Sequence, residues 1–227
     1  MELTTTLFLI LHIAAGFTAL GTGLSAIIVR KGSRPHNRSG LVYFWAMVMV
    51  AFSAFVLSAI KSNSFLFMVG LFTLYMTVTG RRALKFKKPQ QTHAPFDWVF
   101  LGATALGAIV FLSVLLTRVP LSHGMMPVII TFGGFLIAML IGDASYYANL
   151  RSNVPKNFWL LRHITRMMGA YIATTTAFIV TNIQSDPAWI AWLAPTVVFS
   201  PLITYYKNKY RGKNKKKAPM VQPVSTP

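Results

Sequence analysis

The chain contains no cysteine and only four acidic residues among its 227 positions. Without cysteine it cannot form disulfides, thiolate zinc sites, cysteine-ligated iron–sulfur clusters or a cysteine nucleophile. With a hydrophobic content of 54% and a mean hydropathy of +0.54, so few carboxylates leave too little charged surface for a soluble domain of this size. The chain also lacks a phosphate-binding glycine-rich loop, an HExxH motif, paired carboxylates and a serine elbow, which disfavours hydrolases and kinases.

Apolar runs of roughly bilayer length follow one another along the chain. The first run begins after the acidic Glu2 and is longer than a signal-peptide core, so we interpret it as a retained membrane helix. The run Phe65–Thr79 is short, and without it the count is six rather than seven. The sequence predicts an all-α polytopic membrane bundle over residues 1–206. The runs are Thr4–Val29, Leu41–Ile60, Phe65–Thr79, Trp98–Leu116, Met126–Ala148, Phe158–Ile183 and Ala188–Tyr205.

The basic residues predict the orientation of the bundle. All of the 22 Lys and Arg residues except Lys61 and Arg118 fall in alternate loops, in or beside the sixth run, or in the tail. The positive-inside rule then puts the N-terminus outside and the C-terminus in the cytoplasm, in a bacterial-type inner membrane. Because the net charge of +18 comes from short clusters between apolar runs, we expect no nucleic-acid partner.

The tail, residues 207–227, is basic and then rich in proline and polar residues. We expect it to be disordered, with its lysines on anionic lipid headgroups. The alternative is a tail that binds a protein partner.

The run Phe158–Ile183 carries Arg162, His163 and Arg166 in its first third. Charged side chains in a membrane segment mark an inward-facing site by default. On a helical wheel one face is polar or small, which predicts inward packing, and the opposite face is apolar, which predicts lipid contact. The inward set is His163, Arg166, Met167, Ala170, Thr174, Ala177 and Thr181, and the outward set is Met168, Ile172 and Ile179.

A single histidine, His12, lies on a face of the first run that otherwise consists mainly of small residues, among them Ala19 and Gly23. Small residues at this spacing let another helix approach closely or leave room for a flat ligand. Two interpretations stay open. His12 either forms a hydrogen bond within the helix packing, or it binds a cofactor or relays protons, since histidine is costly to desolvate at this depth.

A carboxylate, Asp143, interrupts the fifth run, with Tyr146 and Tyr147 one turn further along on the same side. An unpaired ionised carboxylate in an apolar environment is costly. Counting turns from the basic end puts Asp143 and Arg166 at similar depths on consecutive helices, so we predict an ion pair between them. This group either locks two helices together or acts as a proton relay.

Two further histidines, His36 in the first basic loop and His163, are expected at the same membrane depth. Two histidines on different helices could ligate one haem iron or another metal ion. Alternatively, both are interfacial imidazoles that contact headgroups or backbone carbonyls. We assign no role beyond solvation to His93 or His123. The candidate cofactor ligands are therefore His12, His36 and His163, with haem b as the candidate cofactor.

Three segments together resemble the signature patches of an uncharacterised bacterial family of multi-pass membrane proteins, a domain of unknown function. They are LHIAAGFTALGTG at Leu11–Gly23, HNRSGLVY at His36–Tyr43 and HITRMMGAY at His163–Tyr171. In that family a first-helix His precedes a Gly-Ala-Leu stretch, a cytoplasmic loop carries a pattern like HRxxGRxY, and a late helix carries His, Arg and Tyr. The resemblance implies the membrane topology and the same three histidines, and it supplies no reaction.

For function, the sequence leaves three classes open. The first is a small redox module that interacts with haem or a quinone, and the second is a proton-coupled transporter or channel for a small solute. The third is a non-catalytic assembly partner in the membrane. Enzymatic activity is left undecided, and the expected partners are the lipid bilayer and either another membrane protein or a second copy of the chain.

Overall fold

The computed structural model describes residues 2–87, 94–118, 126–148 and 157–215. These residues form seven long α-helices and one short 3-10 turn, and they contain no strand. The predicted all-α helical bundle is confirmed. The helices are α1 (Glu2–Ile28), α2 (Arg34–Ile60), α3 (Ser64–Arg82), α4 (Pro95–Arg118), α5 (Met126–Tyr147), α6 (Phe158–Asn182) and α7 (Trp189–Lys215), and the 3-10 turn (Ala83–Lys87) follows α3.

Six of the helices in the described part of the chain, all except α6, are long and apolar enough to cross a membrane. The protein is therefore a multi-pass membrane protein. The third run, on which the choice between six and seven helices depended, forms the 19-residue helix α3. The exception, α6, has 25 residues but carries two arginines, a histidine and several threonines among its apolar side chains.

The polar helix α6 lies inside the bundle. It packs against α3, α7, the 3-10 turn and α1. Met168 and Ile172, predicted to face lipid, are only 8% and 7% exposed, so that part of the prediction is wrong. The wheel assumed one inward face, whereas neighbouring helices cover α6 on more than one side.

The helix α1 has the two faces that its sequence predicts. Leu7, Ile10 and Phe17 are each more than half exposed, as lipid-facing side chains are. On the opposite face Ala19 and Gly23 are buried. A Cβ atom at Gly23 would lie 2.5 Å from the ring of Tyr171, so the small residue permits the close approach of α1 to α6.

The turn between α1 and α2 places His36 in the first turn of α2. Gly32 has a φ of +78°, a conformation that glycine adopts without strain. Ser33 then caps α2, because its side chain accepts a hydrogen bond from the backbone N–H of His36 at 3.4 Å. Pro35 occupies the first turn, where its missing N–H is harmless.

The last helix extends beyond its predicted end. The helix α7 runs to Lys215, so residues 207–215 are helical rather than part of a disordered tail. Contacts at this end of the bundle support the extension. Asn157 donates a hydrogen bond to the carbonyl oxygen of Tyr210 at 3.0 Å, and the Lys31 ammonium lies 5.1 Å from the ring centre of Tyr206. Residues 216–227 lie outside the described residues.

Candidate functional site

Two cavities flank α6. The first has a volume of about 940 Å³ and lies between α6, α1, α2, α3 and α7. Its volume is in the range typical of small-molecule sites. We call it the histidine cavity, because His36 and His163 both line it. Its aromatic lining includes Tyr43, Phe44, Trp45, Phe96, Trp159 and Tyr171.

Both histidines of this cavity are held by backbone carbonyl groups. Nδ1 of His36 lies 3.0 Å from the carbonyl oxygen of Ala26, and Nδ1 of His163 lies 2.9 Å from that of Gly80. A carbonyl oxygen can only accept, so Nδ1 carries the proton and donates in both rings. In the neutral imidazole this leaves Nε2 as an acceptor or metal ligand. Histidines that ligate metals commonly have such a second partner.

The cavity is also strongly basic. Its lining includes Lys31, Arg81, Arg82, Lys85 and Lys87, and no Asp or Glu of the described residues lines it. Within the described part of the chain, Arg82 alone among these cations has a salt bridge, formed with Asp97 outside the lining at 2.5 Å. The remaining cations give the cavity a net positive charge, which favours a ligand with acidic groups.

Lys31 is held in place by backbone carbonyl groups at the end of α1. Its ammonium donates hydrogen bonds to the carbonyl oxygens of Ala26 and Ile27 in the last turn of α1, where a positive charge is stabilised by the helix dipole. Partial burial, with a smaller contribution from Lys209, lowers the pKa of Lys31 from its usual value. Ala26 therefore accepts hydrogen bonds from both Lys31 and His36, which links the basic and histidine parts of the cavity.

The third candidate ligand, His12, lies apart from the other two. It does not line the histidine cavity, and its Nδ1 lies 2.9 Å from the hydroxyl oxygen of Ser53 on α2. This is the packing interpretation of His12, a hydrogen bond between α1 and α2. The two histidines that we assign no role beyond solvation, His93 and His123, lie outside the described residues.

Gly80 on α3 brings the histidine and arginine parts of α6 close to the neighbouring helix. A Cβ atom at this position would lie 2.8 Å from Cβ of Arg166 and 3.0 Å from the sulfur of Met167. Only glycine therefore fits without a shift of one helix. The same residue provides the carbonyl group that holds His163, so the contact between α3 and α6 fixes the orientation of that ring.

The second cavity, of about 670 Å³, lies among α3, α5, α6 and α7. We call it the arginine cavity, because Arg162 and Arg166 line it together with Asp143. The sequence predicts His163 and Arg166 on a common inward face, but in the structure they line different cavities. The helix α6 thus separates a histidine face from an arginine face.

Asp143 lies at the centre of a buried hydrogen-bond network. The structure brings it to Arg166, as the sequence predicts, with 3.0 Å between Oδ1 and Nη2. Its other oxygen, Oδ2, lies 2.7 Å from Nη2 of Arg162 and accepts a 2.7 Å hydrogen bond from the hydroxyl of Tyr75. The carboxylate therefore joins α3, α5 and α6.

The two tyrosines predicted beside Asp143 both contact Arg162. The hydroxyl oxygen of Tyr147 accepts a hydrogen bond from Nη2 of Arg162 at 2.8 Å. The ring centre of Tyr146 lies 5.6 Å from the guanidinium carbon of Arg162, a cation–π contact. Arg162 thus contacts Asp143, Tyr146 and Tyr147, while Arg166 contacts Asp143.

The sequence-based site omitted Arg162 and Tyr75. A signal for Arg162 was present, since it precedes Arg166 by four residues and shares its helix face. No comparable signal identifies Tyr75, because the contact between α3 and α5 joins helices that are not consecutive in the chain.

Within the described ranges, no group of three or more His, Cys, Asp or Glu side chains could hold a metal ion. No family model matches this chain, and neither a curated protein nor a solved structure is significantly similar to it.

Proposed function

We propose that the protein is a membrane-embedded redox module that binds haem b in the histidine cavity. The observation that carries this proposal is the tautomer of His36 and His163 and their position in the same cavity. Both rings donate from Nδ1 to a backbone carbonyl and line one cavity.

The residues present fit the chemistry of this cofactor. Nε2 of each neutral imidazole is the atom that would ligate iron. The aromatic walls suit a flat macrocycle, and Lys31, Arg81, Lys85 and Lys87 would pair with its two propionates. Haem supplies one-electron transfer at its iron. The carbonyl groups of Ala26 and Gly80 hold the rings in position, and the apolar lining limits the access of water.

A quinone is the other redox ligand that the sequence left open. A quinone oxygen accepts hydrogen bonds, whereas Nε2 of a neutral imidazole with a protonated Nδ1 cannot donate one. The tautomer that the two carbonyl groups impose therefore favours a metal-bound group over a quinone.

The measurement that tests this function is the visible difference spectrum, reduced minus oxidised, of the detergent-purified protein. We expect a sharp α-band after expression with an ample haem supply. A colourless protein under those conditions would contradict the redox function and would return the transport and assembly alternatives to consideration.

We further propose that the protein lies in the cytoplasmic membrane of a bacterial cell, with the basic end of α7 on anionic headgroups. Lys209 and Arg211 are exposed at this end, and basic side chains close to a membrane are attracted to anionic lipids.

A further inference from the structure

The arginine cavity contains buried cationic donors that the protein itself does not satisfy. Arg162 and Arg166 are each only 7% exposed. Their Nη2 atoms bond to Asp143, but Nε and Nη1 of Arg162 and Nη1 of Arg166 have no hydrogen-bond partner among the described residues. Buried polar atoms are nearly always paired, so donors of this kind require an explanation.

The charges around these donors favour an anion. Asp143 already accepts hydrogen bonds from Tyr75 and Arg166 and forms a salt bridge with Arg162, so its single negative charge faces two guanidinium groups. Lys207 and Arg211 of α7 also line the cavity, and no second acidic residue of the described chain does so. The planar guanidinium fork matches the oxygens of a carboxylate or a phosphate.

The remainder of the cavity is mostly apolar, with three threonines and one serine among its lining side chains. Its lining includes Phe72, Phe132, Phe135, Met139 and Ile172. A small hydrated anion would leave this surface without a partner, whereas an apolar chain attached to the anion would cover it.

We propose that the arginine cavity binds an oxyanion, a carboxylate or a phosphate, that forms the head of a membrane amphiphile. Arg162 donates to the head through Nε and Nη1, and Arg166 donates through Nη1, which are the atoms without a partner among the described residues. The apolar chain packs between α3, α5 and α7. This site is separate from the histidine cavity, because α6 lies between the two.

The proposal is tested by equilibrium binding of radiolabelled amphiphiles to the detergent-purified protein. Palmitate represents the carboxylate source and lysophosphatidic acid the phosphate source, with hexadecanol as the uncharged control and inorganic phosphate as the chain-free control. We expect at least one of the two acids to bind more than about tenfold tighter than hexadecanol, as charge-assisted hydrogen bonds require. Equal binding of hexadecanol and both acids, or inorganic phosphate binding as tightly as lysophosphatidic acid, would overturn the proposal.

The variant Arg162→Lys keeps a positive charge beside Asp143 but removes the unused Nε and Nη1 donors. We expect it to weaken binding of the acid about tenfold or more, and Arg166→Lys should act in the same direction. The matched control is Arg38→Lys, at an exposed position of α2 that lines neither cavity, which should bind the acid as the wild type does. Unchanged binding in both cavity variants would refute the assignment. If either variant fails to fold, the comparison of acid with alcohol on the wild type still decides the proposal.

Discussion

Asp143 connects three helices through its two carboxylate oxygens. Replacement of Asp143 therefore removes more contacts than replacement of Arg166 does. When Arg166 is replaced by Gln, Arg162 remains 2.7 Å from Oδ2 of Asp143. When Asp143 is replaced by Asn, both guanidinium groups lose their carboxylate at once. A buried charge without its partner costs about 3–5 kcal/mol.

We therefore expect Asp143→Asn to lower the free energy of unfolding in detergent by about 3–5 kcal/mol, and Arg166→Gln to lower it by less. The double variant should recover part of the sum of the two losses. Thermal unfolding of the four proteins measures this coupling. Glu2→Gln, an exposed carboxylate, is the control and should change stability by less than about 0.5 kcal/mol. Strict additivity would show that the two side chains do not interact.

Much of the site around Asp143 could be predicted from the sequence. A lone carboxylate in an apolar helix needs a cation at its own depth, and the turn count pointed to Arg166. The sequence could not show that Asp143 is shared with Arg162 and Tyr75, because sharing depends on side-chain directions. Nor could it show that His12 bonds to Ser53 while His36 and His163 share a cavity, since the packing of the helices decides which histidines meet.

Among the elements, α6 departs most from its predicted role. Its wheel has a polar face and an apolar face, and a peripheral helix would turn the apolar face to lipid. In the bundle Met168 and Ile172 are buried, because other helices surround α6. A helical wheel shows which residues share a face of the helix. It does not show how many of those faces neighbouring helices cover.

The contact between α3 and α6 depends on the absence of a side chain at Gly80. In Gly80→Ala the new methyl group would meet Cβ of Arg166 at 2.8 Å, and backbone-bound atoms cannot move aside as a flexible side chain can. We expect a loss of about 1–3 kcal/mol in the free energy of unfolding. We also expect weaker ligand binding in the histidine cavity, because Gly80 holds His163.

The control for this prediction is Gly102→Ala in α4, where a Cβ atom would meet nothing within 4 Å. It should leave stability unchanged or raise it by up to about 1 kcal/mol, as replacement of glycine by alanine in a helix does. Equal thermal unfolding midpoints for the two variants would contradict the close packing of α3 on α6.

At the scale of the whole molecule, the cations of several separate segments meet at one end of the bundle. The histidine cavity collects Lys31 after α1, Arg81 at the end of α3 and Lys87 in the 3-10 turn. The arginine cavity adds Lys207 and Arg211 from α7. This end is the one that the positive-inside rule assigns to the cytoplasm.

We predict that reporter fusions after Lys88 and Thr226 are cytoplasmic, whereas a fusion after Ser62, between α2 and α3, is external. Paired reporters, one active only in the cytoplasm and one only outside it, measure this. External activity at the first two positions would reverse the orientation, and with it the assignment of both cavities to the cytoplasmic side.

The proposed redox function requires a haem site in the histidine cavity, and haem titration of the purified protein is the decisive measurement. We expect a Soret shift that saturates at about one haem per chain, as a single two-histidine site requires. The shift should be lost in His36→Ala and in His163→Ala and retained in His12→Ala, whose ring bonds to Ser53 instead. The same spectrum in all four proteins, or the spectrum of free haem in the wild type, would contradict the account.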